Sequence, residues 1–324
     1  MDHAAAAPLI ADPVSAKAEK AKQLLSARPP DFREGVTLLV QAADAGHGEA
    51  AYLLSVFAGA GLGLPQNWQT ALTFLQRAAE RGHAPAQKDL AFLAGERAVR
   101  GSDRPMDYWK RLRDKVNLKA WLSPPAPRQV NKSPCAFTVE KFLTPQICDW
   151  LIAQARPALE PVLLYGGGRG SSVNPGHGYS GHHFSMIESN LVMVLIQARI
   201  AAAAGFKPDA LESLGVLCYE PGKESPPHVD FLDPALPANS KQVAQLGQRV
   251  VTFFVDLNEG YQGGEIGFPE ARWRYKGRKG AALFFWNIDE TGAFDPKSRH
   301  TELAPNRAEK WLLSQWIRRR PWAS

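Results

Sequence analysis

The sequence predicts an α+β protein: an N-terminal α-helical region, then an antiparallel β-sandwich or barrel with a helical buttress. Three observations carry this. A ten-residue pattern recurs 36 residues apart, with apolar residues at helical spacing before each copy. A proline cluster, Pro124-Pro125-Ala126-Pro127, ends that part of the chain. Beyond it the apolar residues shift to the period of two that a half-buried strand requires. At 324 residues, with 45% hydrophobic and 22% charged residues, the chain has globular composition and a length suited to about two domains.

Residues 1–28 are alanine-rich and charged without an evident packing face, and read as a tail or frayed helix. Residues 29–122 form the helical region. Gln41-Ala42-Ala43-Asp44-Ala45-Gly46-His47 recurs as Arg77-Ala78-Ala79-Glu80-Arg81-Gly82-His83. Val36, Leu39 and Val40 precede the first copy, and Leu72, Phe74 and Leu75 the second. Gly46 and Gly82 stand where a helix needs a stop with positive φ. His47 and His83 are therefore helix-junction residues rather than ligands. The pattern resembles the SEL-type repeat of the tetratricopeptide superfamily, in two units over about residues 30–98. Such arrays hold protein partners or serve structure. Residues 123–134 read as a stiff proline-rich linker. After it, Leu214–Tyr219, Arg249–Leu257, Gly280–Trp286 and Trp311–Ile317 read as strands, and Pro145–Ala155 and Ser189–Ala203 as helices.

No apolar run reaches the ~18–20 residues of a membrane span; the longest candidate, Leu191–Ala204, contains Gln197 and Arg199. Asp2 and His3 stand where a secretory leader carries positive charge, so the expected location is the cytoplasm. Cys135, Cys148 and Cys218 form no CxxC pair, which argues against a disulfide framework or a thiolate zinc site. The net charge of +6 is concentrated in Arg97–Lys119 and Arg318–Arg320 and mixed with Asp103, Asp107 and Asp114. It reads as a solvated face, not a nucleic-acid footprint.

Eight histidines sort by elimination. His3 is in the tail, His47 and His83 are in the repeats, and His177, His182 and His183 flank or lie in the glycine-rich stretch Gly166–Gly181. His228 and His300 remain. His228-Val229-Asp230 places an imidazole and a carboxylate on one face of an extended chain, and His300 follows 70 residues after Asp230. Two histidines and one carboxylate make the facial triad of non-haem iron. Spacing alone leaves equally open a surface His-Asp pair with an unrelated third histidine. Lys310 begins an apolar strand run, where an ammonium is costly without an anion; Tyr219 offers a phenol nine residues before His228. Edge exposure and core packing are the bland readings of these two.

Taken together these residues resemble the catalytic domain of the prolyl 4-hydroxylase family of Fe(II)/2-oxoglutarate dioxygenases. The carriers are Tyr219-Glu220-Pro221-Gly222, His228-Val229-Asp230, Arg249-Val250-Val251-Thr252, Gly263-Gly264-Glu265 with Phe268-Pro269, Gly280-Ala281-Ala282-Leu283-Phe284-Phe285, His300, Lys310-Trp311 and Trp316. Gln197-Ala198-Arg199 and Glu212 match upstream. The resemblance covers residues 135–320, with a core over 213–318. It implies a double-stranded β-helix (jelly roll) holding Fe(II) through His228, Asp230 and His300. Lys310 would bind the distal carboxylate of 2-oxoglutarate, aided by Tyr219, with Trp316 packed nearby.

The implied reaction couples O2 and 2-oxoglutarate to hydroxylation of a C–H bond, releasing succinate and CO2, with ascorbate as reductant. A prolyl residue in a peptide or protein is the implied substrate; another amino acid or a small molecule is the alternative. A non-catalytic interaction or sensor protein using the repeats is the competing class. Ile266, Ala308 and the shifted Pro305 depart from the family pattern without touching a ligand. The Gly166-Gly167-Gly168-Arg169-Gly170 run lacks the Lys-Ser/Thr ending of a phosphate loop and reads as a loop over the site, with Arg169, His177, His182 and His183 available to substrate.

Overall fold

A computed structural model describes residues 12–96, 104–162 and 178–319. The chain divides into two compact units: Met1–Leu122 with Ser185–Ile196, and Ser123–Phe184 with Gln197–Ser324.

The first unit contains α1 (Pro13–Ser26), α2 (Phe32–Asp44), α3 (Gly48–Ala60), α4 (Trp68–Glu80), α5 (Ala84–Leu93), α6 (Met106–Lys115) and α7 (Leu118–Leu122). The two copies of the sequence pattern adopt the same local structure. Gly46 (φ +96°) and Gly82 (φ +78°) take the left-handed turn after α2 and α4. His47 and His83 then cap the following helices, each Nδ1 accepting from the backbone N–H of Ala50 or Ala86. This satisfies a donor that a helix start leaves open. Helix α1 corrects the reading of Pro13–Ser26 as part of a tail; residues 1–11 lie outside the described residues. Ala18, Ala21 and Leu25 are buried and join one apolar cluster with Val36, Leu39 and Phe57. Their i, i+3, i+7 spacing is a helical stripe, but two of its three members are alanines, too small to stand out in sequence.

The second unit contains β1 (Arg128–Lys132), β2 (Cys135–Val139), α8 (Pro145–Ala155), β3 (Glu160–Val162), β4 (Tyr179–His183), β5 (Gly215–Tyr219), α10 (Pro237–Leu246), β6 (Gln248–Asp256), β7 (Gln262–Gly263), β8 (Ile266–Phe268), β9 (Trp273–Tyr275), β10 (Ala282–Trp286), β11 (Thr301–Glu302), β12 (Pro305–Asn306) and β13 (Lys310–Arg319). Helix α9 (Leu191–Ala204) contributes its residues from Gln197 onward. An eight-stranded sheet runs in the order β1-β2-β10-β6-β13-β5-β4-β3, every pair antiparallel. Smaller sheets, β11-β8-β9 and β12-β7, complete the β structure.

Period-two alternation sorts the central strands into two faces. Leu217, Tyr219, Phe254, Leu283, Phe285 and Leu312 pack against Ile266 and Phe268 of the small sheet, forming the sandwich interior. Phe253 turns the other way and meets Phe142 at 5.2 Å between ring centroids. Arg199 of α9 donates to the Phe142 carbonyl at 2.8 Å, and Gln197 to Gln315 Oε1 at 3.1 Å, which fastens the buttressing helix to the sheet's outer face.

Two further readings change. The span read as a linker, residues 123–134, contains strand β1, paired with β2 at the sheet edge. Tyr179–His183 is strand β4 rather than loop, while residues 163–177, with Arg169 and His177, lie outside the described residues. Among the described residues no helix is long and apolar enough to cross a membrane.

Candidate metal and cosubstrate site

His228 and His300 face each other across an isolated antiparallel bridge, each backbone N–H donating to the other's carbonyl at 2.9 Å. Their imidazole centroids lie 4.4 Å apart. His228 Nδ1 sits 3.0 Å from the Pro226 carbonyl and His300 Nδ1 3.0 Å from the Ser298 carbonyl. A carbonyl only accepts, so both Nδ1 atoms carry the proton. When neutral, each ring therefore presents an Nε2 lone pair, the arrangement by which outer hydrogen bonds orient a metal-binding histidine.

Asp230 completes the corner. His228 Nε2 lies 3.8 Å from its Oδ1 and His300 Nε2 3.6 Å from its Oδ2. One ligand atom from each of the three residues falls within 4.8 Å of the others. Thr252 Oγ1 donates to Asp230 Oδ2 at 2.6 Å and accepts from Asn287 Nδ2 at 3.1 Å. Burial pushes the Asp230 carboxyl up, but the two imidazoles and the Thr252 hydrogen bond outweigh it and hold the group below its ordinary value. For His300 burial dominates and keeps the ring neutral. Burial opposes charge on His228 too, yet the Glu302 and Asp230 carboxylates raise its pKa.

This arrangement of acceptors is suited to a cation. His300 Nε2 is fully buried with no hydrogen-bond partner among the described residues, although an unsatisfied buried polar atom costs about 1–3 kcal/mol. Two nitrogen donors and a carboxylate suit a divalent first-row metal with open positions.

A second cluster of unsatisfied atoms adjoins it. Lys310 at the start of β13 pairs in register with Tyr219 at the end of β5, and its Nζ lies 5.7 Å from the Tyr219 ring centroid. Both side chains are buried, and neither Lys310 Nζ nor the Tyr219 hydroxyl has a hydrogen-bond partner among the described residues. Burial lowers the Lys310 pKa, while Asp256, Glu302 and Glu265 oppose the shift. Tyr219 is raised well above its ordinary value, by burial first and by Glu302 next. A buried ammonium and phenol without partners fit a small anion.

Trp316 is not beside Lys310, as the resemblance implied. The two are six residues apart on one strand, or about 20 Å at ~3.3 Å per residue. The Trp316 indole instead stacks on His183 at 5.4 Å and carries the Arg249 guanidinium 3.6 Å above its ring centroid. Arg249 and Arg318 both pair with Glu212. His182 and His183 are successive residues of β4 and project to opposite faces; they make no joint metal site.

Sequence reasoning missed Glu302. It follows His300 by two residues on β11, so strand periodicity puts both on one face. Its carboxylate is buried, with Oε1 3.6 Å from His300 Nε2, and it accepts a short hydrogen bond from Ser225 Oγ. Burial raises its pKa, but the His300 and His228 imidazoles bring the net shift below the ordinary value. The periodicity signal was available; no motif singled it out.

A family model matches the part of the chain that holds this site. The 2OG-Fe(II) oxygenase superfamily matches over residues 214–318, a span that holds every residue of both clusters. Prolyl 4-hydroxylase 13 of Arabidopsis thaliana is 31% identical over 202 residues, covering 57% of this chain and 72% of its own. Prolyl 4-hydroxylase 1 of the same organism is 28% identical over 243 residues, covering 69% and 83%. Among solved structures, the viral collagen prolyl hydroxylase of Paramecium Bursaria Chlorella virus-1, in its 2OG complex, is 26% identical with a TM-score of 0.43. The match covers 56% of this chain and 95% of that one. The chain belongs to the prolyl 4-hydroxylase-like 2OG-Fe(II) oxygenases. It is thus an oxidoreductase of a family that uses Fe(II), 2-oxoglutarate and O2, and its helices and antiparallel sheets are consistent with the jelly roll.

Proposed function

We propose that this oxygenase hydroxylates a prolyl residue of a peptide or protein substrate, converting 2-oxoglutarate to succinate and CO2. His228, Asp230 and His300 would hold the Fe(II), and Lys310, assisted by Tyr219, would bind the distal carboxylate of 2-oxoglutarate. The observation that carries this reading is the pair of buried, unpartnered clusters, His300 Nε2 at one end and Lys310 Nζ with the Tyr219 hydroxyl at the other. One asks for a cation and the other for an anion.

The bound metal supplies the redox chemistry, activating O2 for insertion into a C–H bond. The residues of the chain do the positioning. Pro226 and Ser298 carbonyls fix the histidine tautomers. Thr252 aims Asp230. Lys310 and Tyr219 orient the cosubstrate in an apolar sandwich interior, where water is excluded and their charge and hydrogen bond act at low dielectric. Ascorbate would be the accompanying reductant. The helical region works as a pair of SEL-type repeats that hold a protein partner or substrate; the matched hairpins and their histidine caps support that role.

The test is succinate formation from 2-oxoglutarate by iron-loaded protein after admission of air, with proline-containing peptides as substrates. His228→Ala and Lys310→Ala should each lose at least about 99% of turnover, in line with ~10²-fold or larger losses when positioning fails. A wild type that binds neither iron nor 2-oxoglutarate would rule the reading out.

A further inference from the structure

Glu302 is a second buried carboxylate beside a metal corner whose reading uses one, and three hydrogen bonds with Ser225 fix its place. Its side chain accepts from Ser225 Oγ, its backbone N–H donates to the same oxygen at 2.9 Å, and its carbonyl accepts from Ser225 N–H at 3.1 Å. The carboxylate stands 3.6 Å from His300 Nε2. Its charge acts on the Tyr219 phenol, which pairs in register with Lys310, and after Asp256 on the Lys310 ammonium. Asp230 instead turns to Thr252 on the main sheet. Of the two carboxylates beside the histidines, Glu302 is the one whose charge acts on Lys310.

We propose that Glu302 sets the affinity for the cosubstrate, its carboxylate lying in the anion-binding space between His300 and Lys310 in the resting enzyme and competing there with the incoming dianion. The inference rests on the assignment of that space to 2-oxoglutarate. Its physical basis is charge. Lys310 offers one positive charge, which Asp256 first and Glu302 next already offset. A 2-oxo diacid brings two negative charges into a buried site that holds this carboxylate, and like charges placed together in a desolvated contact are strongly unfavourable. A 2-oxo monoacid of similar chain length carries no distal charge toward Lys310 and meets less of this repulsion. The residue thus governs discrimination between diacid and monoacid cosubstrates, as well as the concentration at which 2-oxoglutarate engages.

The experiment is anaerobic calorimetric titration of 2-oxoglutarate and of 2-oxobutyrate into full-length Co(II)-loaded protein. Wild type, Glu302→Gln and Lys310→Ala are compared, and metal affinity is measured by chelator competition. Glutamine keeps the size of the side chain and an acceptor for Ser225; Glu302→Gly is the second variant. The expected result is about tenfold or tighter binding of 2-oxoglutarate in both Glu302 variants, less than about threefold change for 2-oxobutyrate, and metal affinity within about threefold of wild type. Equal or weaker 2-oxoglutarate binding with metal retained would overturn the proposal. So would a Glu302→Gln protein that loses its metal, which would make Glu302 a metal-holding residue instead. If no protein of the series binds 2-oxoglutarate although all bind Co(II), the cosubstrate reading of the site falls, and the proposal with it.

Discussion

Thr252 shows how much of this site depends on residues that never meet the metal. Its hydroxyl is a relay: it accepts from Asn287 and donates to Asp230 Oδ2 at 2.6 Å, leaving Oδ1 facing His228. Valine has the same shape but no hydroxyl, so Thr252→Val should leave the fold intact while freeing Asp230 to rotate. Metal affinity is expected to fall about 10–100-fold, the usual cost of losing an outer-shell partner. Chelator competition measures it, and an unchanged affinity would show that Asp230 is held by other means. At this scale the sequence was partly legible. His228 and Asp230 were readable because a strand's period of two makes His-x-Asp a convergent pair. His300 was readable because elimination left few histidines. Thr252 carries no sign of its role, since its partner is 22 residues away and meets it only through tertiary packing. Glu302 obeys the same periodicity as Asp230, but a lone glutamate two residues after a histidine is common on exposed strands, where it would mean nothing.

Among the elements, helices α3 and α5 are joined by a buried polar pair: the Tyr52 hydroxyl donates to Asp89 Oδ2 at 2.6 Å. Burial pushes the Asp89 carboxyl up from 3.8 to about 6, against the hydrogen bond and Lys88, which lower it. The folded state therefore holds this proton more tightly than the unfolded chain does. The contribution of Asp89 to stability is best below pH 3.8, declines as pH rises toward about 6, and remains at its lower level above. Asp89→Asn keeps an acceptor for Tyr52 and cannot ionise. The variant should match wild type near pH 3.5 and exceed it by about 2–3 kcal/mol at pH 7, at ~1.4 kcal/mol per pKa unit. Urea titrations at the two pH values check this; a difference independent of pH would contradict it. Helices with strong start signals were legible to the residue: Pro145–Ala155 opens with Thr144, whose Oγ1 accepts from Ile147 N–H. Strand β1 was not, because five residues between Pro127 and the Ser133-Pro134 turn show turn chemistry at both ends and only one apolar side chain, Val130.

For the whole molecule, a linear reading placed one boundary near residue 123, whereas the chain crosses between its units three times. Ser185–Ile196 belongs with the helical unit although it lies in sequence inside the oxygenase. Met186 and Ile187 pack on the cluster built by α1, α2 and α3, and Leu191 and Val194 lie so close to Gly59 of α3 that any side chain there would press on them. The sequence could not show this, because α9 is apolar nearly all round: Leu191, Val192, Met193, Val194, Leu195 and Ile196 are all buried. A helix without a polar face gives no hint of which side meets which neighbour. The consequence is that the helical region is not a removable accessory. A fragment beginning at residue 123 would expose Met186, Ile187, Leu191 and Val194, each worth about 1.5–3 kcal/mol when fully buried, on a surface with no polar substitute. The fragment should therefore aggregate or bind a hydrophobic dye and melt well below the full chain. Leu191→Gln with Val194→Gln should restore part of its solubility. A monodisperse 123–324 fragment with the full chain's melting temperature and metal affinity would show that the oxygenase unit closes its own core without the helices.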